Sequence, residues 1–142
     1  MLNMLLYIIG RNPTLFLKNT HKKAIITGQV ENIRKYLNIV KIYVIPMRIG
    51  NGRQNKILEA KASGLPVVAT STALEEIIAA PGKEIIIADT PEEFAANGIK
   101  LLSNAIKRTF ISRNARRYVE RYHNWKINLE SMDHIFKQFV TR

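Results

Sequence analysis

The chain has 142 residues, of which 46% are apolar, and it contains no cysteine. This length and composition suit one globular domain with a buried core, and they exclude a disulfide framework and a thiolate metal site. No apolar run approaches the roughly 20 residues that span a bilayer. The first apolar run, Met1–Ile9, lacks the flanking charge and cleavage site of a signal peptide, so a buried strand is favoured.

The net charge of +11 is distributed unevenly along the chain. Residues 1–50 carry +7, residues 51–105 carry −2 and residues 106–142 carry +6. Basic flanks of this kind attract phosphates, anionic lipid or nucleic acid, although a merely solvated basic surface explains them equally well. We expect a cytoplasmic location, with peripheral contact at the inner membrane face as an alternative.

Short apolar, β-branched runs alternate with helical patterns along the first 105 residues. Such runs are typical of parallel strands that are buried on both faces. The predicted strands are Leu2–Ile9, Ala24–Thr27, Val40–Ile45, Val67–Thr70 and Ile85–Ala88. The predicted helices are Glu31–Leu37, Asn55–Ser63, Leu74–Ala79 and Pro91–Leu102. Strands that alternate with helices predict right-handed crossovers and a Rossmann-like, doubly wound parallel sheet of the α/β class.

Two of these helices carry clear end signals. Asn55–Ser63 is followed by Gly64, which we expect as a left-handed cap. Pro91–Leu102 is preceded by Thr90, a favourable N-cap residue, and has proline and two glutamates in its first turn.

Residues 106–142 form a C-terminal helical segment that we expect to pack on the domain of residues 1–105. Apolar residues recur there at helical spacing and predict two amphipathic helices with a break near His123–Asn124. The two stripes, both expected in the core, are Ile106, Phe110, Ala115, Tyr118, Val119 and Tyr122, then Trp125, Leu129, Met132, Phe136 and Phe139.

Three arginines lie four residues apart on the opposite face of the first of these helices. They are Arg113, Arg117 and Arg121. A ridge of this kind is usually only solvated, and we expect Glu120 to neutralise it in part. Contact with lipid or an acidic partner is the alternative.

The candidate site lies in Ile42–Ala69, which reads as a strand, a glycine loop, a helix and a second strand. A loop from the carboxyl end of a parallel strand into a helix N-terminus favours phosphate binding, because unpaired N–H groups and the helix dipole face one point. The candidate binding residues there are Arg48, Asn51, Gly52, Arg53, Gln54, Asn55 and Lys56.

Glu59 lies one turn into this helix, on the same stripe as Asn55 and Ser63. Its carboxylate can accept two hydrogen bonds from a ribose diol, or it can form an exposed ion pair with a neighbouring basic residue. The spacing leaves both interpretations open. The glycine loop alone is a weak signal, because it is neither a G-x-G-x-x-G fingerprint nor a Walker loop.

Other candidate constellations are weaker. Ser71 and Thr72 follow the fourth predicted strand, where helix capping is favoured over contact with a sugar. Glu75 and Glu76 can meet a sugar or face water. The three histidines, His21, His123 and His134, have no metal-ligand spacing.

The run Leu58–Val68, LEAKASGLPVV, resembles the L-E-A-x-A-x-G-x-P-V-V run of the retaining group 1 glycosyltransferases with the GT-B fold. Further similarities to this family lie at Leu74–Ile77, Pro81–Pro91 and Tyr122–Trp125. The resemblance covers nearly the whole chain. It implies the C-terminal half of a GT-B fold, with residues 1–105 as an incomplete Rossmann-like domain that binds a nucleotide sugar.

The resemblance also implies roles for individual residues. Glu59 would hold the ribose, and Gly52, Gln54 and Asn55 would line the diphosphate and the sugar. Asn51 stands where the family has its first glutamate, eight residues before Glu59. An amide therefore replaces a carboxylate near the donor sugar, which we interpret as a variant site rather than an inactive one. No catalytic residue is assigned.

The resemblance implies a hexosyltransferase-type enzyme that moves a sugar from a nucleoside diphosphate sugar to an acceptor hydroxyl, with retention and with no cofactor or metal. We expect the isolated chain to be inactive without a separate or missing N-terminal acceptor-binding domain. The alternatives are an inactive fragment and a non-catalytic basic module that binds nucleotide, anionic membrane or nucleic acid. Nucleic acid is disfavoured, because the basic residues lack interleaved aromatic residues and no recognition-helix motif is present.

Overall fold

The computed structural model of the protein describes residues 4–10, 23–49, 55–74 and 77–140. The chain divides into two compact units, Met1–Tyr36 and Leu37–Arg142. Each unit has its own parallel sheet. None of the described helices is long and apolar enough to cross a membrane.

The first unit holds a two-stranded sheet. Its strands β1 (Leu6–Ile9) and β2 (Ala24–Gly28) pair in parallel. The short helix α1 (Arg34–Leu37) follows, and the boundary between the units falls within it. Tyr7 of β1 meets Tyr36 of α1 edge to face, with ring centroids 5.7 Å apart, so this aromatic pair joins strand and helix.

The strands of this unit are only partly buried. Leu6 is 48% exposed and Ile25 is 42% exposed. The prediction that every strand is buried on both faces is therefore wrong for β1 and β2. One short helix in the described part of this unit is too little to cover both faces of a sheet.

The second unit holds a three-stranded parallel sheet in the order β3-β4-β5. The strands are β3 (Tyr43–Ile45), β4 (Val67–Ala69) and β5 (Ile86–Ile87), and helix α2 (Asn55–Ala62) connects β3 to β4. All three residues of β4 are completely buried. Because side chains alternate along a strand, both faces of β4 are covered. The α/β class with parallel strands is thus confirmed.

Three longer helices complete the second unit. They are α3 (Pro91–Ser103), α4 (Ala105–Tyr122) and α5 (Trp125–Val140). Helices α2 and α3 pack on β4, and α4 packs against both of them. The core formed there contains Val68, Ile86, Ala88, Leu101 and Ile111, with Ile42 and Phe94 packed against it.

The end of α2 is as the sequence predicts. Gly64 has a φ of +72°, in the left-handed region that disfavours any side chain. The N–H of Leu65 donates to the carbonyl of Ala60 at 3.0 Å, and the N–H of Gly64 donates to that of Lys61 at 2.9 Å. This pair of bonds is a Schellman motif and satisfies two carbonyls of the last turn.

The start of α3 is also confirmed and forms a capping box. The Oγ1 atom of Thr90 accepts from the N–H of Glu93 at 3.2 Å, and Oε2 of Glu93 accepts from the N–H of Thr90 at 3.2 Å. Two unpaired donors of the first turn are satisfied reciprocally.

Replacing Thr90 with alanine is expected to lower the free energy of unfolding by about 1 kcal/mol, because the cap loses its acceptor. Urea denaturation followed by circular dichroism measures this loss. Thr90→Ser keeps the hydroxyl and should restore most of the stability. Equal stability of Thr90→Ala and the parent protein would show that the cap contributes nothing.

The prediction of a helix over Leu74–Ala79 is wrong. The structure has a short 3₁₀ turn at Ser71–Leu74, and the described residues 77–80 are not helical. The N–H of Ile77 donates only three residues back, to Leu74 at 2.8 Å.

The two C-terminal helices and the break between them are confirmed, but their predicted burial is largely wrong. In α4, Ala115 and Tyr118 are buried, whereas Ile106, Phe110 and Tyr122 are exposed. In α5 all five predicted core residues are exposed, from Leu129 and Met132 at about half to Trp125 at 78%. Among the described residues, no helix or strand packs extensively against α5.

Candidate functional site

Hydrogen bonds join the carboxyl ends of β3, β4 and β5. After β4, Thr70 donates from Oγ1 to the carbonyl of Met47 at 2.7 Å. Ser71 donates from its N–H and its hydroxyl to Oδ1 of Asp89, at 2.8 and 2.9 Å. These bonds fix the segments that follow the three strands relative to one another at the carboxyl ends of the sheet, where the chain leaves toward α2.

Asp89 at this edge was missed by the sequence analysis. A carboxylate directly after a buried strand, at the same sheet edge as the glycine loop, was the signal that could have found it. The structure places Ser71 inside the 3₁₀ turn, where its hydroxyl is bonded to Asp89.

Three of the predicted loop and helix residues lie at this edge of the sheet and are exposed. Arg48 belongs to the segment that follows β3, and Asn55 and Lys56 form the start of α2. The side chains of these three residues are therefore accessible to solvent at the carboxyl ends of the strands. The other predicted residues, Asn51, Gly52, Arg53 and Gln54, lie outside the described residues.

Glu59 is exposed, on one outward stripe of α2 with Asn55 and Ser63. The opposite face of the helix carries Ile57 and Ala60, which are completely buried. Within the described residues no cation lies within ion-pair distance of Glu59. The exposed ion pair that the spacing left open is therefore not seen there, and the carboxylate faces solvent.

The negative charge of Glu59 acts on one neighbour. Burial raises the pKa of the Tyr43 phenol above its ordinary value, and the carboxylate of Glu59 raises it further. Both effects disfavour the phenolate, so Tyr43 keeps its proton. The sequence gives no signal for this pair, because it depends on how α2 lies beside the first residue of β3.

Two arginines of α4 hold the C-terminal ends of other helices. Arg116 donates from Nη1 to the carbonyl of Ala62, the last residue of α2. Arg108 donates from Nη1 to the carbonyls of Leu101 and the next residue in α3, at 2.7 and 3.0 Å. A cation at a helix C-terminus complements the helix dipole. These contacts fix α2 and α3 relative to α4.

Arg116 also forms an ion pair with Glu120, the acidic residue that we expected to neutralise the arginine ridge. Its Nε atom lies 2.6 Å from Oε1 of Glu120. Glu120 is thus paired within its own helix face, and the expectation that it neutralises Arg113, Arg117 and Arg121 is wrong.

The structure describes some of the remaining sequence candidates and leaves three outside the described residues. His123 places its Nε2 atom 3.3 Å from the hydroxyl of Tyr118. Among the described ranges no group of three or more histidine or acidic side chains is placed to hold a metal ion. Glu75, Glu76 and His21 lie outside those ranges.

Comparison with known proteins supplies a family and a relative. The family pattern of "Glycosyl transferases group 1" matches residues 2–104. An uncharacterized glycosyltransferase of Methanocaldococcus jannaschii is 29% identical over 119 residues, which are 80% of this chain and 30% of that protein. The chain therefore spans about a third of the length of this curated relative.

Solved structures share the fold. The C-terminal domain of a group 1 glycosyl transferase from Francisella tularensis has a TM-score of 0.66 at 21% identity, over 73% of this chain and 55% of that one. Sucrose-phosphate synthase from Thermosynechococcus elongatus has a TM-score of 0.72 at 18% identity, over 89% and 33%. The Anabaena protein HepE, in complex with UDP-glucose, has a TM-score of 0.72 at 15% identity, over 94% and 41%.

Proposed function

Because this chain belongs to the group 1 glycosyl transferases, we propose that it is the donor-binding half of a sugar-transferring enzyme. In the proposed reaction a sugar moves from a nucleoside diphosphate sugar to an acceptor hydroxyl, with retention of anomeric configuration. The observation that carries the proposal is the family match across residues 2–104. Ligands of parallel α/β sheets bind beyond the carboxyl ends of the strands, which supports a donor site at that end of the sheet.

We assign the ribose of the donor to Glu59. Its carboxylate is exposed, it has no ion-pair partner among the described residues, and it lies on the stripe of α2 that begins at Asn55. Side chains of a helix lean toward its N-terminus, so Glu59 can reach a ligand that lies over that end. A carboxylate accepts two hydrogen bonds at once, which suits adjacent hydroxyls.

The diphosphate of the donor is assigned to the start of α2 and the loop before it. Unpaired N–H groups of the first helical turn and the positive end of the helix dipole favour a bound anion. Arg48 and Lys56 add positive charge at the same sheet edge, and Arg53 would add a third charge from the loop. Asn51, Gly52, Gln54 and Asn55 complete the proposed lining.

Catalysis in this proposal rests on position and charge. The bound donor is held in one orientation, and the cations stabilise the negative charge that develops on the leaving diphosphate. This chain spans 30% of the curated relative, and we assign the acceptor to a domain other than this one. We therefore expect the isolated chain to bind the donor without transferring its sugar.

Calorimetric titration with UDP-glucose and UDP tests this site. UDP-glucose is the first probe because a protein of the same fold is known in complex with it. A hydrogen bond to a charged group contributes roughly 1.5–3 kcal/mol, so Glu59→Ala should raise the Kd about 10- to 100-fold. GDP-linked and ADP-linked sugars extend the titration, because the base is not assigned.

Glu130→Ala is the matched control for this titration. Glu130 is an exposed carboxylate of α5, a helix that takes no part in the proposed site, and its loss should leave the Kd unchanged. Equal binding by Glu59→Ala and the parent protein would contradict the assignment of the ribose. Failure of every nucleoside diphosphate sugar to bind the parent protein would contradict the donor site as a whole.

A further inference from the structure

A cavity of about 210 Å³ lies between α4 and the turn that precedes β5. The turn contributes Lys83, and α4 contributes Arg117 and Arg121. Asn114, Tyr118 and Tyr122 of α4 form the rest of the wall together with Glu84. The cavity thus combines three cations with one carboxylate and with groups that donate hydrogen bonds.

The three cations are not neutralised by the described residues. Arg117, Arg121 and Lys83 form no ion pair within the described ranges. Glu120, the acidic residue between the two arginines, is paired with Arg116 at 2.6 Å. Positive charge that is left uncompensated in a concave site attracts an anion more strongly than the same charge on a flat surface.

The turn that carries Lys83 is held in place by its own hydrogen bonds. Gly82, at a φ of +75°, donates from its N–H to the carbonyl of Ile85 at 2.7 Å. Oε2 of Glu84 accepts from the N–H of Ala80 at 2.8 Å. The carboxylate in the wall is therefore engaged with the turn, which lowers its competition for the cations.

A fourth positive charge lies behind the wall of the cavity. Lys61 of α2 is completely buried, and its Nζ atom lies 3.9 Å from the ring centroid of Tyr118. Among the described residues this Nζ atom has no hydrogen-bond partner. Burial lowers the pKa of Lys61 to about 8, against a raising effect of Glu84, so the amine is mostly protonated at neutral pH. Its charge adds to the positive potential at Tyr118.

This cavity is distinct from the proposed donor site. Lys83 lies at the amino end of β5, whereas Arg48 and the start of α2 lie at the carboxyl ends of the strands. In a parallel sheet the amino ends of all strands lie on one side and the carboxyl ends lie on the opposite side, so the two sites are on opposite sides of the sheet. The residues that line the cavity take no part in the donor proposal.

We propose that this cavity binds a phosphate group, as a free phosphate, a soluble phosphoester or the phosphodiester of a lipid headgroup. The planar guanidinium groups of Arg117 and Arg121 match phosphate oxygens in pairs, and Lys83 adds a point charge from the opposite wall. Asn114 can donate from its amide, since its Nδ2 atom is only bonded to the carbonyl of Phe110 at 3.0 Å and keeps a second hydrogen.

The test uses the whole chain and inorganic phosphate at constant ionic strength, with ¹⁵N-labelled protein. We expect phosphate to shift the amide signals of Lys83, Asn114 and Arg117. The double variant Arg117→Gln, Arg121→Gln should raise the Kd at least about 10-fold, because two charge-assisted contacts are lost. Arg113→Gln, which removes an exposed arginine of the same ridge away from the cavity, should leave the Kd unchanged.

Arg117→Lys keeps the charge and should bind with intermediate affinity, which separates loss of the site from loss of the fold. Unchanged phosphate binding by the double variant would overturn the proposal, and so would shifts confined to residues 55–59. Sedimentation with phosphatidylcholine vesicles, with and without phosphatidylglycerol, distinguishes the sources. Binding to the anionic vesicles that the double variant loses identifies a lipid headgroup. Phosphate shifts without vesicle binding identify a soluble phosphate.

Discussion

Replacing Lys61 with methionine is expected to raise the free energy of unfolding at pH 7 by about 1–3 kcal/mol. Lys61 is completely buried, and its Nζ atom lacks a hydrogen-bond partner among the described residues. The contact of Nζ with the Tyr118 ring, at 3.9 Å from the centroid, compensates only part of this cost. Methionine has a similar volume and its sulfur also packs well against an aromatic ring.

The gain from this substitution should depend on pH. Burial lowers the pKa of Lys61 from 10.5 in the unfolded chain to about 8 in the fold, so between these values the unfolded chain binds the proton more strongly. The contribution of residue 61 to the free energy of unfolding of the parent protein therefore rises as the pH increases from about 8 to 10.5. The difference between Lys61→Met and the parent should be largest below pH 8 and should disappear toward pH 10.5.

Urea denaturation at pH 7, 9 and 10.5 measures both parts of this expectation. Lys56→Met is the control, because Lys56 is an exposed lysine in the same helix, and surface substitutions change stability by about 0.5 kcal/mol or less. A difference between Lys61→Met and the parent that stays constant with pH would show that the buried charge is not its cause. A loss of stability at pH 7 would show that the ammonium group is stabilised in the fold.

Replacing Leu101 with alanine is expected to lower the free energy of unfolding by about 2–5 kcal/mol. Leu101 is 1% exposed in α3 and belongs to the core cluster with Val68, Ile86 and Ile111. Removal of its side chain leaves a cavity between the sheet and two helices, and the surrounding side chains refill such cavities only in part.

Ile99→Ala in the same helix is the matched control for this loss. Ile99 is 47% exposed, so its truncation removes little buried area and should cost less than about 1 kcal/mol. Chemical denaturation of both variants and the parent protein gives the comparison. Similar losses for the two variants would mean that α3 does not pack on the sheet through Leu101.

Local sequence signals predicted most of the elements because they act over a few residues. The apolar runs at Val67 and Ile86 gave strands within one or two residues, and Gly64 and Thr90 marked helix ends through their own backbone and side-chain chemistry. The helix predicted over Leu74–Ala79 is not formed, and the segment before it is held by hydrogen bonds between residues far apart in sequence, such as those of Ser71 with Asp89, which a local pattern does not reveal.

Periodicity indicates that a helix face is apolar, but it does not say which surface covers that face. Tyr118 and Trp125 both lie on regular apolar stripes, yet Tyr118 is 6% exposed and Trp125 is 78% exposed. The candidate site shows the same difference between a local pattern and its surroundings in the fold. The sequence places Glu59 on one helical stripe with Asn55, whereas the effect of its charge on the pKa of Tyr43 depends on how α2 and β3 approach each other in space.

Two arginines of α4 donate hydrogen bonds to the last turns of α2 and α3, so α4 cannot detach without breaking contacts with both helices. Arg116 and Arg108 bond to carbonyls that would lose their partners if α4 detached. Opening of α4 alone would thus expose the core around Ile111 and also release the last turns of two other helices. We therefore expect the free energy of this opening to approach that of unfolding the whole unit, and the amides of the three helices to exchange with solvent together rather than separately.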